Sequence, residues 1–298
     1  MPTLKDVENK IKAVKKTKQI TKAMNMVAAS RLRGAQTNME AFRPYAAKFG
    51  EVLGSLAEKS GEDASPLLVE REVVKNIHVL LCTSDRGLCG GFNMNLVEEL
   101  KRFMAERYDG ETSFTFTAFG KKGRDWFRKK EHEIVDVHLD VVGANFGFNV
   151  ASQASRKLVD NFLNGTYDEV HVVYAEFAGM GKQIPRTEQL LPILPITAQA
   201  DDDEADAETT YLAEHLYEPS ANELLDTLLP QNISVKIHSA LLETSTSEHA
   251  ARMLAMDNAT KACNDMIDNL TLVYNKARQA AITAELMDIV GGAEALKG

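Results

Sequence analysis

The chain has 298 residues, of which 44% are hydrophobic and 26% charged, a composition typical of globular proteins. No stretch approaches the roughly 20 apolar residues that a bilayer-spanning helix needs. The amino terminus is charged from Lys5 onward, so we expect neither a secretory signal nor a transit peptide. Because Cys82, Cys89 and Cys263 form no CxxC pair and have no zinc-ligand spacing, we expect free thiols and no metal site.

The net charge of −9 is unevenly distributed along the chain. Residues 1–36 contain nine lysines and arginines against Asp6 and Glu8, a local balance of +7, which leaves −16 for the rest of the chain. A basic arm on an acidic body favours an acidic or polyanionic partner for the arm. A helix with a solvated, lysine-rich face explains the same pattern without any partner.

The amino-terminal segment, residues 1–60, has the heptad pattern of a long coiled-coil helix. Apolar residues occupy the seam at Leu4, Val7, Ile11, Val14, Ala28, Leu32, Ala35, Met39, Phe42, Ala46, Phe49, Leu53 and Leu56. Between these two runs the seam becomes polar, at Lys18, Thr21 and Asn25. The neighbouring apolar residues there lie on another face, at Ile20, Met24 and Val27. We predict that another surface meets the helix at this point, and that Pro44 bends or distorts the helix.

Residues 72–200 alternate between strand-like and helix-like segments. The predicted strands are 73–85, 113–120, 134–139 and 168–177, and the predicted helices are 93–107, 121–130 and 150–163. We assign Asn93 as the N-cap of the first of these helices. The alternation predicts a Rossmann-like α/β domain with a largely parallel sheet. Pro192 and Pro195 make residues 189–197 an edge strand in this prediction.

Residues 201–210 are acidic and predict a solvated loop at a domain boundary, followed by a second long helical region over 211–298. Pro230 predicts a break or a kink in that region. A heptad register follows at Met253, Met256, Cys263, Ile267, Leu270, Tyr274, Ala277, Ala281 and Ala284. The predicted fold is therefore α/β with long helices: an antiparallel coiled coil of the amino- and carboxyl-terminal helices with an inserted Rossmann-like domain.

The segment most typical of an enzyme is the glycine-rich stretch SDRGLCGGFN (Ser84–Asn93). Such turns can present backbone N–H groups to a phosphate, but this one matches neither GxGxxG nor GxxxxGK[ST]. A nucleotide-binding α/β protein with coiled-coil arms remains the alternative function. None of the seven histidines lies in a known catalytic motif, so we predict no catalytic site and no cofactor. The basic arm has no aromatic residue before Phe42 for base stacking, and we expect no nucleic-acid partner.

Four motifs together resemble the γ subunit of bacterial F-type ATP synthases. They are ITKAMNMVAASRLR (Ile20–Arg33), SDRGLCGGFN, LYEP (Leu216–Pro219) and the carboxyl-terminal EHAARMLAM…LVYNKARQAAITAELMDIVGGA. The most specific signature is Ile282, Thr283, Glu285 and Asp288, followed by Gly291, Gly292 and Ala293. The resemblance extends over essentially the whole chain. Asp257 and Lys261 reverse the expected order of charges but could still pair, and Asn232–His238 matches the family poorly.

The resemblance implies a non-catalytic central shaft of a proton-translocating ATP synthase. Such a shaft couples rotation of the membrane c-ring to conformational change in the catalytic β subunits. The implied partners are the α and β subunits, the ε subunit and the c-ring. The implied location is the cytoplasmic face of the bacterial inner membrane, with membrane association only through the complex.

The resemblance also implies roles for individual residues. Contacts with the β subunits are expected from Lys22, Met24, Arg31, Arg33, Arg252, Arg278, Gln279, Thr283 and Glu285. Contacts with the ε subunit or the c-ring are expected from Tyr217 and Glu218. A structural turn near that end of the shaft is expected at Gly87, Gly90 and Gly91.

Overall fold

A computed structural model of the chain describes residues 3–60, 65–193 and 221–295. The elements are α1 (Leu4–Ser60), β1 (Asn76–Cys82), α2 (Phe92–Arg107), β2 (Ser113–Phe119), α3 (Lys121–Lys129), β3 (Ile134–His138), α4 (Phe148–Leu163), β4 (Glu169–Gly179), β5 (Lys182–Leu191) and α5 (Ala221–Ala295). The acidic segment 201–210 and the predicted contact residues Tyr217 and Glu218 lie outside the described residues.

The chain divides into two compact units. Met1–Ser30 and Arg252–Gly298 form one, here called the coil unit, and Arg31–Ala251 forms the other, here called the sheet unit. Helices α1 and α5 each contribute to both units. None of the helices in the described part of the chain contains an apolar stretch long enough to cross a membrane.

The sheet unit contains one five-stranded sheet in the order β3-β2-β1-β4-β5. The first four strands are parallel, and β5 pairs antiparallel with β4 at one edge. The predicted α/β fold with a largely parallel sheet and long terminal helices is confirmed. The bounds predicted for the edge strand were wrong, because β5 begins at Lys182, directly after the turn that ends β4, and stops at Leu191 before Pro192.

The side chains of β1 alternate between two hydrophobic cores, as the pleat of a strand requires. Leu80 and Cys82 pack with α4, the end of α1 and the first part of α5. Val79 and Leu81 pack with α2 and α3 on the other face. The sheet is therefore covered on both faces, which explains the nearly continuous apolar sequence of β1.

Helix α5 passes through Pro230 without interruption, so the predicted break there was wrong, while the alternative, a kink, stays a prediction. Leu229 and Ile233 on either side of the proline are almost fully buried in the core of the sheet unit. The burial of side chains of this size contributes about 1.5–3 kcal/mol each, enough to offset the missing backbone hydrogen bond of one proline. The poorly matching segment Asn232–His238 is thus a buried part of this helix.

Candidate functional site

In the coil unit, α1 and α5 pack as an antiparallel pair. Thr21 Oγ1 lies 2.8 Å from Thr260 Oγ1, and Asn25 Nδ2 donates to the carbonyl oxygen of Met253 at 2.8 Å. Because the contacts advance along α1 while they recede along α5, the two helices run in opposite directions. Thr260 lies between Met256 and Cys263 in the heptad register, and extending that register through polar residues would have placed it on the seam that faces α1.

The polar section of the α1 seam faces α5, whereas the sequence predicted that another surface meets the helix at this point. Thr21 is only 9% exposed, whereas Ile20 is 60% and Val27 56% exposed. These apolar side chains therefore lie on the face of α1 that α5 does not cover. The predicted contact residue Lys22 is exposed on the same stretch and Met24 is half-buried.

The carboxyl-terminal part of α5 is half-buried at its heptad positions up to Ala277 and exposed from Arg278 to Ala293. When the two helices are aligned with Thr21 opposite Thr260, Leu4 lies opposite Ala277. The part of α5 after Ala277 therefore extends past the beginning of α1. Ala281 and Ala284, the last positions of the predicted heptad register, are exposed for this reason. The exposed segment contains five large apolar residues: Ile282, Leu286, Met287, Ile289 and Val290.

The structure separates the residues expected to contact the β subunits into three groups. Lys22, Met24 and the half-buried Arg252 belong to the middle of the coil unit, near the polar layer of the seam. The exposed carboxyl-terminal segment contains Arg278, Gln279, Thr283 and Glu285. Arg31 and Arg33 are exposed on α1 within the sheet unit. Their contacts with β subunits remain predictions.

Asp257 and Lys261 form the reversed ion pair that the sequence allowed. Lys261 Nζ lies 2.8 Å from Asp257 Oδ2, one helical turn away. The hydrogen bond and charge of Asp257 raise the pKa of Lys261 above its ordinary value. Both side chains are exposed, so the pair contributes little to the stability of the helix.

The glycine-rich turn between β1 and α2 is closed by its own side chains. Asn93 Oδ1 accepts from the backbone N–H of Ser84 at 3.0 Å, and Asn93 Nδ2 donates to Ser84 Oγ at 2.8 Å and to Cys89 Sγ at 3.2 Å. Asn93 was therefore wrongly predicted as the N-cap of α2. The helix starts one residue earlier, at Phe92, and Gly91 is its N-cap without a side-chain hydrogen bond.

Within this turn the backbone takes left-handed conformations at Leu88 and Gly90, with φ of 65° and 60°. Glycine adopts such values without the steric penalty of a β-carbon, which accounts for Gly90. A β-carbon added at Gly87 would lie 3.8 Å from Cε of Lys122, and one added at Gly91 would lie 3.4 Å from Oδ1 of Asn95. The turn thus has a structural explanation that requires no bound phosphate.

The histidines of β1 and β4 have structural partners. His78 Nδ1 and Nε2 lie 2.8 and 2.9 Å from the hydroxyls of Thr115 and Thr117. Burial lowers the pKa of His78 to about 4. His171 Nε2 lies 2.7 Å from Glu169 Oε2, which also accepts from Arg107. Across residues 3–60, 65–193 and 221–295, no group of three His, Cys, Asp or Glu residues could hold a metal ion.

Comparisons with known proteins agree with this architecture. A family model described as ATP synthase matches residues 3–296. The ATP synthase gamma chain of Desulfosudis oleivorans is 67% identical over 299 residues, with 100% of both chains covered. The ATP synthase gamma chain of Desulforapulum autotrophicum is 58% identical, with 99% of this chain and 100% of the relative covered.

Two solved structures share the fold. One is a chain of the Euglena gracilis mitochondrial ATP synthase (OSCP/F1/c-ring), with a TM-score of 0.66 and 19% identity over 98% of this chain and 94% of that one. The other comes from the central stalk and c-ring of the Tetrahymena thermophila mitochondrial ATP synthase, with a TM-score of 0.58 and 23% identity over 80% of this chain and 99% of that one. Since the family model spans nearly the whole chain and the relatives match it over their full length, this chain belongs to the ATP synthase γ-chain family.

Proposed function

We propose that this chain is the central rotary shaft of a proton-translocating F-type ATP synthase. In this role it couples rotation of the membrane c-ring to conformational change in the catalytic β subunits and catalyses no reaction itself. It binds the α and β subunits, the ε subunit and the c-ring. It acts at the cytoplasmic face of the bacterial inner membrane and associates with the membrane only through the complex.

The exposed carboxyl-terminal segment of α5 is the observation that carries this proposal. Sixteen consecutive residues, Arg278–Ala293, are all exposed, and they include Leu286 at 56% and Met287 at 68%. Contiguous apolar surface on a soluble chain marks an interaction site. A ring of α and β subunits around this segment would bury that surface, while Arg278, Gln279, Thr283 and Glu285 provide polar contacts with the β subunits.

A second interaction surface is proposed on α1. Ile20 and Val27 are exposed on the face that α5 leaves uncovered, next to Lys22 on the basic arm. Attraction between lysines and acidic loops acts over several ångströms and is weakened by water and salt, so it suits a contact that must form and break at every turn. We assign Lys22, Met24, Arg31, Arg33 and Arg252 to these contacts.

A non-catalytic role is supported by the glycine-rich turn. Asn93 and Ser84 bond to each other across it, so the feature most typical of an enzyme has a structural role here. We propose that the turn at Gly87, Gly90 and Gly91 lies near the ε subunit and the c-ring. Tyr217 and Glu218 are proposed to contact those same partners.

The proposal is tested by assembling the chain with α and β subunits and measuring ATP turnover. Met24→Lys and Arg278→Ala should each lower turnover by roughly tenfold, equivalent to about 1.4 kcal/mol, without preventing assembly. Met180→Lys is the matched control, because Met180 lies in the exposed turn between β4 and β5. A chain that stays apart from the α and β subunits, or that hydrolyses nucleotide alone, would contradict the shaft function.

A further inference from the structure

The segment Asn232–His238, which matches the family poorly, ends in a histidine that the shaft function does not use. His238 is only 8% exposed, and its Nδ1 is buried without a hydrogen-bond partner among the described residues. Buried polar groups in proteins usually have such a partner. The unpaired imidazole of His238 therefore requires a physical explanation.

Three phenylalanine rings surround this imidazole. The ring centroid of Phe42 on α1 lies 4.7 Å from that of His238, and the centroids of Phe146 and Phe148 lie at 5.4 and 5.3 Å. All three rings stand edge to face with the imidazole. Phe146 belongs to the loop between β3 and α4, and Phe148 is the first residue of α4. These four residues, here called the aromatic junction, join α1, α4 and α5 within the sheet unit.

The elements that pack against His238 offer it no charged partner. Residues 141–155, which include most of the loop and the first half of α4, contain no titratable side chain. The titratable side chains within five residues of Phe42 or His238 have other partners or are exposed: Glu40, Arg43, Tyr45, Lys236 and Glu243. Burial lowers the pKa of His238, and no charged group of the described residues contributes to the shift.

A neutral imidazole suits this environment, whereas an imidazolium does not. Edge-to-face contacts between aromatic rings are attractive without any charge on either ring. A positive charge buried without a counter-ion loses its hydration, and nothing in the aromatic junction replaces it. Since the closed junction binds this proton less tightly than an open one, acid favours conformations in which the imidazole of His238 reaches water.

We propose that the aromatic junction is an acid-sensitive switch, which is closed at neutral pH and opens when His238 binds a proton. Opening separates Phe42 and Phe148 from α5. Phe148 is 40% exposed, so a small movement there brings water to the imidazole. Neither hydrophobic core of the sheet includes Phe42, Phe148 or His238, so both cores stay packed. The switch belongs to the sheet unit and does not depend on the shaft function.

Hydrogen exchange of the purified full-length chain, followed by mass spectrometry, tests the switch. After correction for intrinsic exchange rates, amides around Phe42 and in the loop 141–147 should exchange severalfold faster at about pH 5.5 than at about pH 7.5. One coupled proton allows an acceleration of up to about tenfold. His238→Leu keeps an apolar side chain in the junction and should abolish the acceleration. His132→Gln is the matched control, because the pKa of His132 is also lowered but His132 lies outside the junction.

Phe148→Glu is a second test that keeps His238. It places a carboxylate beside the imidazole, so the imidazolium gains a counter-ion in the closed junction and the acceleration should shrink. Phe148→Gln has nearly the same shape without the charge and should keep the acceleration. The proposal is overturned if the junction amides exchange equally fast at both pH values or more slowly in acid. It is also overturned if the acceleration survives His238→Leu, if His132→Gln reduces it equally, or if Phe148→Glu and Phe148→Gln behave alike.

Discussion

Two segments of α5 have opposite surroundings. From Leu241 to Ala251, in the sheet unit, every residue is buried, including Glu243, Glu248 and His249. From Arg278 to Ala293, in the coil unit, every residue is exposed, including large apolar ones. The polar segment is buried and the apolar segment is exposed, which reverses what composition alone would predict.

Polar side chains in the buried segment of α5 form hydrogen bonds with backbone groups of β4 that no neighbouring strand pairs. The pairing of β4 with β1 ends at Val173, although β4 continues to Gly179. Thr244 Oγ1 and Glu243 Oε2 accept from the backbone N–H groups of Ala175 and Phe177, and Ser247 Oγ donates to the carbonyl oxygen of Ala175. Polar side chains of α5 thus replace a missing neighbouring strand, which explains why they are buried.

The largest expected difference in the free energy of unfolding is between truncating a leucine in the buried segment and truncating a leucine in the exposed segment. Leu241→Ala removes a fully buried side chain and should lower the free energy of unfolding by about 2–5 kcal/mol. Leu286→Ala, at a position 56% exposed, should change it by less than about 0.5 kcal/mol in the isolated chain. Chemical denaturation of both variants measures the contrast, and equal effects would mean that Leu286 has a buried partner within this chain.

Acid should destabilise the sheet unit selectively, because the coil unit contains no histidine. Burial lowers the pKa of His78 from 6.5 to about 4, so the unfolded chain binds a proton more readily than the folded chain between these values. Stability is therefore full above pH 6.5 and falls as pH decreases toward 4, by about 3 kcal/mol for this group.

Denaturation at several pH values within this window tests the acid effect. Three other histidines, whose pKa values are lowered in the same direction by partial or full burial, add to the slope: His132, His138 and His238. His78→Gln should therefore reduce the dependence of unfolding free energy on pH without abolishing it. Identical slopes in the wild type and the variant would show that His78 does not titrate differently in the folded chain.

Replacing a carboxylate by an amide should have an effect of intermediate size on the free energy of unfolding in the buried segment of α5, and almost none in the exposed segment. Glu243 accepts from Arg43 Nη2 and from the N–H of Phe177, both at 2.8 Å. Glu243→Gln keeps one acceptor but loses the charge, so unfolding free energy should fall by about 1–2 kcal/mol. Glu285→Gln, at an exposed position, should have almost no effect on stability. If Glu243→Gln left the free energy of unfolding unchanged, the pairing of Glu243 with Arg43 would add nothing to stability.

The smallest effect concerns the polar layer of the coil unit. Thr21→Val or Thr260→Val alone removes the 2.8 Å contact between the two hydroxyls, and the remaining hydroxyl keeps only its bond to a carbonyl oxygen of its own helix, so stability should fall by about 0.5–1.5 kcal/mol. The double variant places two apolar β-branched residues in the seam and should be close to the wild type. A double-mutant cycle by thermal unfolding measures this coupling, and strictly additive effects would contradict a direct hydroxyl contact.

Local patterns predicted much of the fold. The heptad of α1 matches the buried seam from Leu4 to Leu56, because a coiled coil depends on spacing alone. The positions of β1 to β4 follow from apolar runs separated by turns. Three features depended on contacts between distant residues: the hydrogen bonds of α5 to β4, the Asn93–Ser84 pair that shifted the start of α2, and the core packing that carries α5 through Pro230.

The candidate interaction surfaces on α1 and α5 could be predicted only in part, because they too depend on contacts between residues that are distant in sequence. The family motifs indicated residues on both helices, and the register of α1 showed where apolar residues leave the seam. The end of the buried α5 seam at Ala277 depends on where α1 begins relative to α5, which no single segment encodes.

Polarised fluorescence of single complexes tests most directly whether the chain rotates relative to the β subunits. The fluorophore is attached through Met180→Cys, at an exposed position, in a chain with Cys263→Ser, since Cys82 and Cys89 are buried. During ATP turnover by the assembly with α and β subunits, the probe should step through a repeating set of orientations, one for each β subunit. A probe that keeps one orientation while ATP is consumed would contradict the rotary shaft.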